Sequence, residues 1–596
     1  MIKRRLEALR QLMLERNIDI YVVPTSDFHE SEYVGDYFKA RTFITGFTGS
    51  AGTAVITKTE AGLWTDGRYF IQAANQLEGS TIELFKMGEE GVPTVSQYIK
   101  DKLQEGGCLG FDGRVINATL GDSFSTIVNE KNGSLKVDED LIGMIWDDRP
   151  LLSKEPAYAL DVKYSGKLST EKLADVRKAM EQEGADYHIL TSLDDIAWLF
   201  NIRGNDAKHF PIVLSFAIIG KEEAHFFVQE DVLNEAIRME MKNNKVQIHN
   251  YEDIYTFVSQ LKDNAKVLLT KGKVNFRIVN NLPSTVSIID KMNPTTPMKA
   301  MKNPVELDNI RLAHIRDGVA FTKFMYWLKT NIGKIPMTEI DASNYLAKRR
   351  EEQPGFIDLS FDTICAYEAN AAMMHYSATE ESNAVLEPKG FLLVDSGGHY
   401  FEGSTDITRT MALGPITDKQ RYHFTLVLRS NLNLASAKFL YGCCGQNLDI
   451  LSRGPLWEIG LDYRCGTGHG VGYLLNIHEA PNGFRWKIVP ERNDSAVLEE
   501  GMVTTDEPGV YLEGEYGIRT ENELICKKAE KTEYGQFMEF EAVTYAPIDL
   551  DAIDPSIMTE REKKVLNDYH KMVFEKISPF LTNEEVEWLK KYTAAI

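Results

Sequence analysis

A chain of 596 residues, 43% apolar and 26% charged, is too long for one hydrophobic core and has a globular composition, so three or four domains of roughly 100 to 200 residues are expected. Its 66 basic against 88 acidic residues give a net charge of -22, which repels phosphate backbones and anionic lipid and argues against nucleic acid as a partner. No segment approaches the ~18 to 20 uninterrupted apolar residues of a membrane span, Glu7, Arg10, Glu15 and Arg16 interrupt any signal-like core, and six cysteines without a CxxC pair fit a reduced, cytoplasmic setting.

In chain order, RRLEALRQLMLE places Leu6, Leu9, Leu12 and Met13 on one helical face, and IDIYVVP follows as a buried strand. KLADVRKAMEQEGADYHIL repeats this pattern at an offset of 167, matching Leu6 to Leu173, Arg10 to Arg177, Met13 to Met180 and Asp19 to Asp186. Two related α/β domains in tandem are the economical reading. GFTGSAG lacks the Lys-Ser/Thr pair that grips phosphates and reads as a turn. Asp66-Gly67, between apolar runs, predicts a type I′ hairpin.

Pro150 and Pro156 place a linker near residues 148–165. Asn303, Pro304 and Glu306 then supply an N-cap, an N1 proline and a capping-box glutamate, opening a helix and a third domain near residue 300. Thr559 with Glu562 and Thr582 with Glu585 are further capping boxes in a helical tail whose default role is packing on the third domain or at a subunit interface. The expected division is 1–150, 151–300, 301–546 and a helical extension over 547–596.

The chemistry concentrates in the third domain. Asp395 ends an apolar strand and Asp406 lies eleven residues on in a threonine-rich one. Glu507 and Glu521 flank LEGEYG symmetrically about Gly514, so a hairpin there sets the two carboxylates opposite each other. Like charges so placed are destabilising, and something cationic, whether Arg519 or a metal ion, should sit between them. Five of the twelve histidines, His375, His399, His423, His469 and His478, fall between residues 369 and 479. His469 lies in CGTGHGVG, which fits neither a phosphate loop nor a dinucleotide turn and whose glycines let backbone approach something closely. Asp395, Asp406, His469, Glu507 and Glu521 form a set rich in oxygen, with enough ligands for two hard-to-borderline divalent ions, Mn²⁺ ahead of Zn²⁺ or copper. Such a pair is equipment for hydrolysing an amide.

At VDSGGHYFEGSTDITRT, GTGHGVG, TDEPGVY and GIRTENEL the sequence resembles the pita-bread metallopeptidases, and most closely their long, three-domain aminopeptidase P members of cytosolic type. TGFTGSAG, WTDGRYF, IWDDRP, DDIAWLFNIRG and LSFDTI extend the likeness over nearly the whole chain. The resemblance implies an α/β (α+β) fold class: two tandem creatinase-N-like α/β domains, a pita-bread catalytic domain and a helical C-terminal tail. It implies that Asp395 chelates one metal, that Asp406 and Glu521 bridge both, and that His469 and Glu507 complete the other. His375 resembles the family histidine that steadies the developing oxyanion, and His478 the one that contacts the proline side. Arg519 would neutralise and orient Asp395, and Tyr511 would line the pocket. The implied reaction removes an N-terminal residue followed by proline by attack of a metal-bridging hydroxide, with Glu507 as proton shuttle, in a cytoplasmic homodimer. A prolidase-type dipeptidase and a non-catalytic peptide- or protein-binding scaffold are the alternatives. At Cys465, four residues before His469, the chain departs from the long members, which carry histidine there, so a contact made by that histidine is missing or replaced.

Overall fold

The computed structural model describes residues 1–489 and 493–596. It divides into two compact units, one formed by residues 1–160 and 167–295, the other by 161–166 and 296–596.

The first unit contains the predicted repeat. Two six-stranded sheets each run 4-3-2-1-5-6 in order of appearance, with antiparallel pairings among the first three strands and parallel pairings outside them. The leading helices Ile2–Glu15 and Ser169–Glu183 bury Leu6, Leu9 and Met13 in one copy and Leu173, Val176 and Met180 in the other. Equivalent aspartates do equivalent work. Asp19 accepts from the Cys108 amide and pairs with Lys58, as Asp186 accepts from the Lys266 amide and pairs with Lys221. The halves join about Asn117 and Asn275, each capping a helix, where the Ala118 amide donates to Val274 O at 2.8 Å and the Phe276 amide to Ile116 O at 2.7 Å. His29, 1% exposed, lies in the same seam with Nδ1 2.9 Å from Thr191 O and Nε2 2.6 Å from the Tyr251 hydroxyl.

Two loop expectations have different outcomes. GFTGSAG is a turn, and its Phe47 and Gly49 carbonyls accept from the buried Arg41 guanidinium, the reverse polarity of an anion cradle. Asp66-Gly67 does not turn a hairpin. Strand Ala61–Thr65 pairs in parallel with Glu83–Lys86, so helix Phe70–Gln76 must cross between them, and Asp66 holds Arg68 at the crossover.

In the second unit Asn303 caps helix Pro304–Asn331 with the expected capping box. A three-stranded antiparallel sheet places Phe391–Ser396 between Ile364–Tyr367 and Ile407–Ala412, with Asp395 opposite Thr408. Asp406 therefore precedes its threonine-rich strand by one residue. A six-stranded sheet carries Gly468–Gly470, Val503–Asp506 and Asn522–Thr532. Both tail capping boxes form, on helices Glu560–Ile577 and Asn583–Tyr592. Their Leu566, Val573, Ile577 and Leu589 share one core with Phe424, Leu456, Val510 and Ile518, so the tail is part of this unit's interior.

The predicted hairpin about Gly514 forms, with Gly514 at φ +74°. Gly509–Leu512 pairs with Tyr516–Arg519, and beyond an interruption at residues 507–508 and 520–521 the same register continues in Val503–Asp506 against Asn522–Ile525.

Candidate metal centre

Strands and strand ends from two sheets bring one acidic cluster together. Carboxylate oxygens of Asp406 and Glu521 and a ring nitrogen of His469 lie within 4.8 Å of one another. His469 Nε2 is 3.4 Å from Asp406 Oδ2 and 3.5 Å from Glu507 Oε1, while its Nδ1 is 2.9 Å from Gly470 O. With Nδ1 donating to that carbonyl, Nε2 turns its lone pair toward the carboxylates.

Asp395 is 8% exposed. Its Oδ2 accepts from Arg519 Nη2 at 2.5 Å, and its Oδ1 has no hydrogen-bond partner. Arg519 also donates through Nη1 to the Tyr511 hydroxyl at 2.6 Å and through Nε to Thr408 Oγ1 at 3.1 Å. Thr408 donates in turn to Glu521 Oε2 at 2.6 Å.

The electrostatics state the problem this pocket has to solve. Burial pushes the Asp406 carboxyl well above its ordinary range, and Asp395, Glu507 and Glu523 add to the rise against a smaller opposing effect of Arg519. Glu521 is raised well above its range by burial, then by Asp406, Glu507 and Asp395. Glu507 is raised by burial and held back by His469 and Arg519. One guanidinium does not balance this many buried carboxylates. Two carboxylates and an imidazole aimed at one point, beside an unfilled Asp395 oxygen, are a donor set that fits a divalent ion of hard-to-borderline character.

His478 joins the group, its ring edge-on to His469 at 4.3 Å between centroids. Tyr511, partly buried, reaches it through Arg519. His375 stands partly exposed on the loop after the 3₁₀ segment Glu368–Ala372. The same segment lies against the Arg519 strand, since a side chain on Gly517 would meet Ala371 O at 1.8 Å. His399 and His423 go elsewhere, His399 to Ser404 Oγ at 2.8 Å and His423 to the Tyr516 hydroxyl at 2.9 Å.

The glycines of CGTGHGVG serve the protein's own packing. A Cβ on Gly468 would lie 1.8 Å from Thr505 O, on Gly470 2.2 Å from Glu479 O, and on Gly472 2.4 Å from Asn476 O. The close approach is therefore to neighbouring backbone. Cys465 packs beside Tyr511 at the edge of the core, its thiol pushed up to about 11 mainly by burial and then by Glu507. It is a neutral thiol there.

Sequence reading missed the supports. Glu523 Oε1 accepts from the Asp406 amide at 2.7 Å, and His314 Nε2 lies 3.1 Å from Glu523 Oε2. The alternation Glu521, Glu523 was the available signal for the first, whereas His314 sits in an ordinary helical stretch. Asp506 beside Glu507 is fully buried with neither carboxyl oxygen hydrogen-bonded. Burial, then Glu507 and Asp449, push its pKa well above the carboxylate range.

Comparison with known proteins agrees with this layout. Residues 5–136 and 148–306 match the creatinase/prolidase N-terminal domain, 308–528 match metallopeptidase family M24, and 536–596 match the C-terminal region of that peptidase family. The "Probable Xaa-Pro aminopeptidase P" of Paracoccidioides brasiliensis (strain Pb03) is 37% identical over 614 residues, covering 100% of this chain and 99% of the relative. That of Pyrenophora teres f. teres (strain 0-1) is 39% identical over 609 residues, covering 99% and 92%. The crystal structure of X-prolyl aminopeptidase from Caenorhabditis elegans, described as a cytosolic enzyme with a di-nuclear active site, superposes with a TM-score of 0.95 at 33% identity over 100% of both chains. An Xaa-Pro dipeptidase from Bacillus anthracis, at 25% identity and a TM-score of 0.51, covers 64% of this chain and 99% of its own. With relatives matched end to end and a carboxylate-imidazole cluster inside the matched peptidase region, the chain belongs to metallopeptidase family M24.

Proposed function

We propose that the protein is a metalloaminopeptidase that releases the N-terminal residue from peptides with proline in second position. The observation that carries this reading is the convergence of Asp406, His469 and Glu521 beside Asp395 and Glu507, in a chain whose full-length relatives bear that activity in their names. We assign Asp395, Asp406, His469, Glu507 and Glu521 to two divalent ions, with Mn²⁺ as the native metal, because the set is richer in oxygen than in nitrogen and no thiolate belongs to it. Such ions supply Lewis-acid polarisation of a carbonyl and a lowered pKa for water.

The protein's own groups do the rest. Arg519 fixes one oxygen of Asp395 and leaves the other free for a ligand. Glu507 keeps 21% of its side-chain surface, and its raised carboxyl pKa suits a group that takes up a proton and passes it on. We assign His478, against the His469 ring, to the proline side of the scissile bond, His375 to the carbonyl oxygen on which charge develops, and Tyr511 to the pocket wall. Proline offers no N–H and a fixed φ, so the site must recognise ring shape. Surrounding carboxylates favour the free α-ammonium group of the substrate.

We further propose division at residues 150, 300 and 546, a cytoplasmic location and a homodimer. Among the described residues no helix is long and apolar enough to cross a membrane. Exposed Trp457 and Trp486, their rings edge-on at 6.1 Å, give the second unit an apolar patch suited to a second copy. The test is to incubate metal-analysed protein with Xaa-Pro-Yaa and Xaa-Ala-Yaa peptides, with and without Mn²⁺. Cleavage of the proline peptide alone is expected, and no cleavage under any metal overturns the reading. Equal preference for a tripeptide and a dipeptide speaks against a dipeptidase.

A further inference from the structure

A second cluster of nitrogen and oxygen donors lies in the first unit. Strands Ala224–Val228 and Val246–Asn250 pair in parallel, with His225 opposite Gln247 and Phe227 opposite His249, so both histidines share one sheet face. His225 Nδ1 is 3.0 Å from His249 Nε2. On the far side of the His225 ring, Nε2 lies 3.7 Å from Glu223 Oε1, and Gln247 Nε2 donates to Glu223 Oε2 at 3.1 Å. Phe257 packs against both imidazole rings, at 4.5 and 5.6 Å between centroids.

We propose that His225 and His249 form a chelating site for a borderline divalent ion, of which Zn²⁺ is the probe, with Glu223 as the carboxylate that sets the His225 tautomer. Imidazole is a ligand such ions favour, and a ligating histidine commonly offers its other ring N–H to a carboxylate. Glu223, steadied by Gln247, stands where it draws the His225 proton to Nε2 and leaves the Nδ1 lone pair facing His249. Two nitrogens on a tetrahedral zinc at about 2.0–2.1 Å are about 3.3 Å apart, so the pair must open by about 0.3 Å and both rings must turn until their lone pairs meet at one point off the line between them. His249 must move its proton to Nδ1, and that tautomer shift releases no charge. Both rings are held below the ordinary histidine range, chiefly by burial, and so are neutral at pH 7. An open groove of about 490 Å³ runs beside Glu223 and Gln247 and is lined also by Glu222 and by the cationic Arg238, Lys242 and Lys245.

The test uses the full chain and is independent of the peptidase reading. Zn²⁺ titrations by calorimetry are compared for wild type, His249→Gln and Glu223→Gln, with circular dichroism to check folding. The expected result is one more zinc bound per chain by wild type than by His249→Gln, and an affinity for that extra ion about 10–100-fold weaker in Glu223→Gln. Anomalous scattering at the zinc edge from wild-type crystals, which needs no variant, should place an ion between the two rings. Equal stoichiometry in wild type and His249→Gln, or no anomalous peak at the pair, overturns the proposal.

Discussion

Arg519 Nη2 donates to Asp395 Oδ2 at 2.5 Å across 124 residues of sequence, and the same guanidinium also reaches Tyr511 and Thr408. A lysine keeps the charge but cannot make three directed contacts from one planar fork. Arg519→Lys should therefore lower kcat/KM for Xaa-Pro-Yaa by about 10–100-fold and weaken metal binding by a similar factor. Peptide kinetics alongside titration with a metal chelator would check this, and a fully active lysine variant would reduce Arg519 to a point charge.

Two aspartates should behave in opposite ways. Asp406 offers an oxygen to the donor cluster, whereas Asp506 is buried with neither carboxyl oxygen hydrogen-bonded. Asp406→Asn is expected to abolish hydrolysis. Asp506→Asn should leave stability within about 1 kcal/mol, since one buried unpartnered polar group replaces another of the same shape, and keep activity within a few-fold. Assay and thermal melts of both variants together distinguish a ligand from a buried neighbour, and the idea fails if the two lose activity equally.

Glycine substitutions test the close packing. A Cβ on Gly468 would lie 1.8 Å from Thr505 O, so Gly468→Ala must displace the His469 strand and should destabilise by about 1–3 kcal/mol. Gly454, inside helix Gly445–Trp457, has nothing beyond its chain neighbours within 4 Å of such a Cβ, but Pro455 follows it and crowds a preceding Cβ in the α conformation, so Gly454→Ala should stay within about 0.5 kcal/mol of wild type. A Gly468→Ala variant that melts no lower than Gly454→Ala would contradict the close packing.

These glycines show what one dimension hides. CGTGHGVG, GFTGSAG and Asp66-Gly67 look alike as turn-rich strings. The structure uses the first to admit neighbouring carbonyls, the second to point carbonyls at Arg41, and the third at a strand-to-helix crossover. Which atoms fill the space of a missing Cβ is decided by strands far along the chain. The hairpin about Gly514 and the Asp19–Asp186 correspondence were legible because symmetry and repetition survive in a linear string. Glu523 and His314, which support Asp406, were not, because support depends on depth and direction rather than residue type.

Acid should loosen the second unit through His570. This residue is fully buried, accepts the Ile548 amide at Nε2 at 3.1 Å, and has its pKa lowered to about 3 by burial and then by Arg409. Because the folded value lies below the unfolded one, stability is full above about pH 6.5 and falls as the unfolded state takes up a proton, over a window from about 6.5 down to about 3. The loss is about 5 kcal/mol in total. His570→Gln should flatten the difference in melting temperature between pH 7 and pH 4.5, and an unchanged slope would assign the acid sensitivity elsewhere.

The exposed patch makes an assembly prediction. Trp457→Glu places a charge against Trp486, and light scattering coupled to size exclusion should show the mass halved relative to wild type. A wild-type monomer, or an undisturbed dimer in the variant, would move the interface away from this surface.

The two arms of the Gly514 hairpin act as matched rulers. Every pairing from Val503 opposite Ile525 to Leu512 opposite Tyr516 keeps one count about the tip. Residues added at Glu513–Glu515 lengthen the tip and leave Glu507 facing Glu521. A single residue inserted in one arm would turn one glutamate away from the other, so length changes in this stretch should be tolerated only at the tip or as equal additions to both arms.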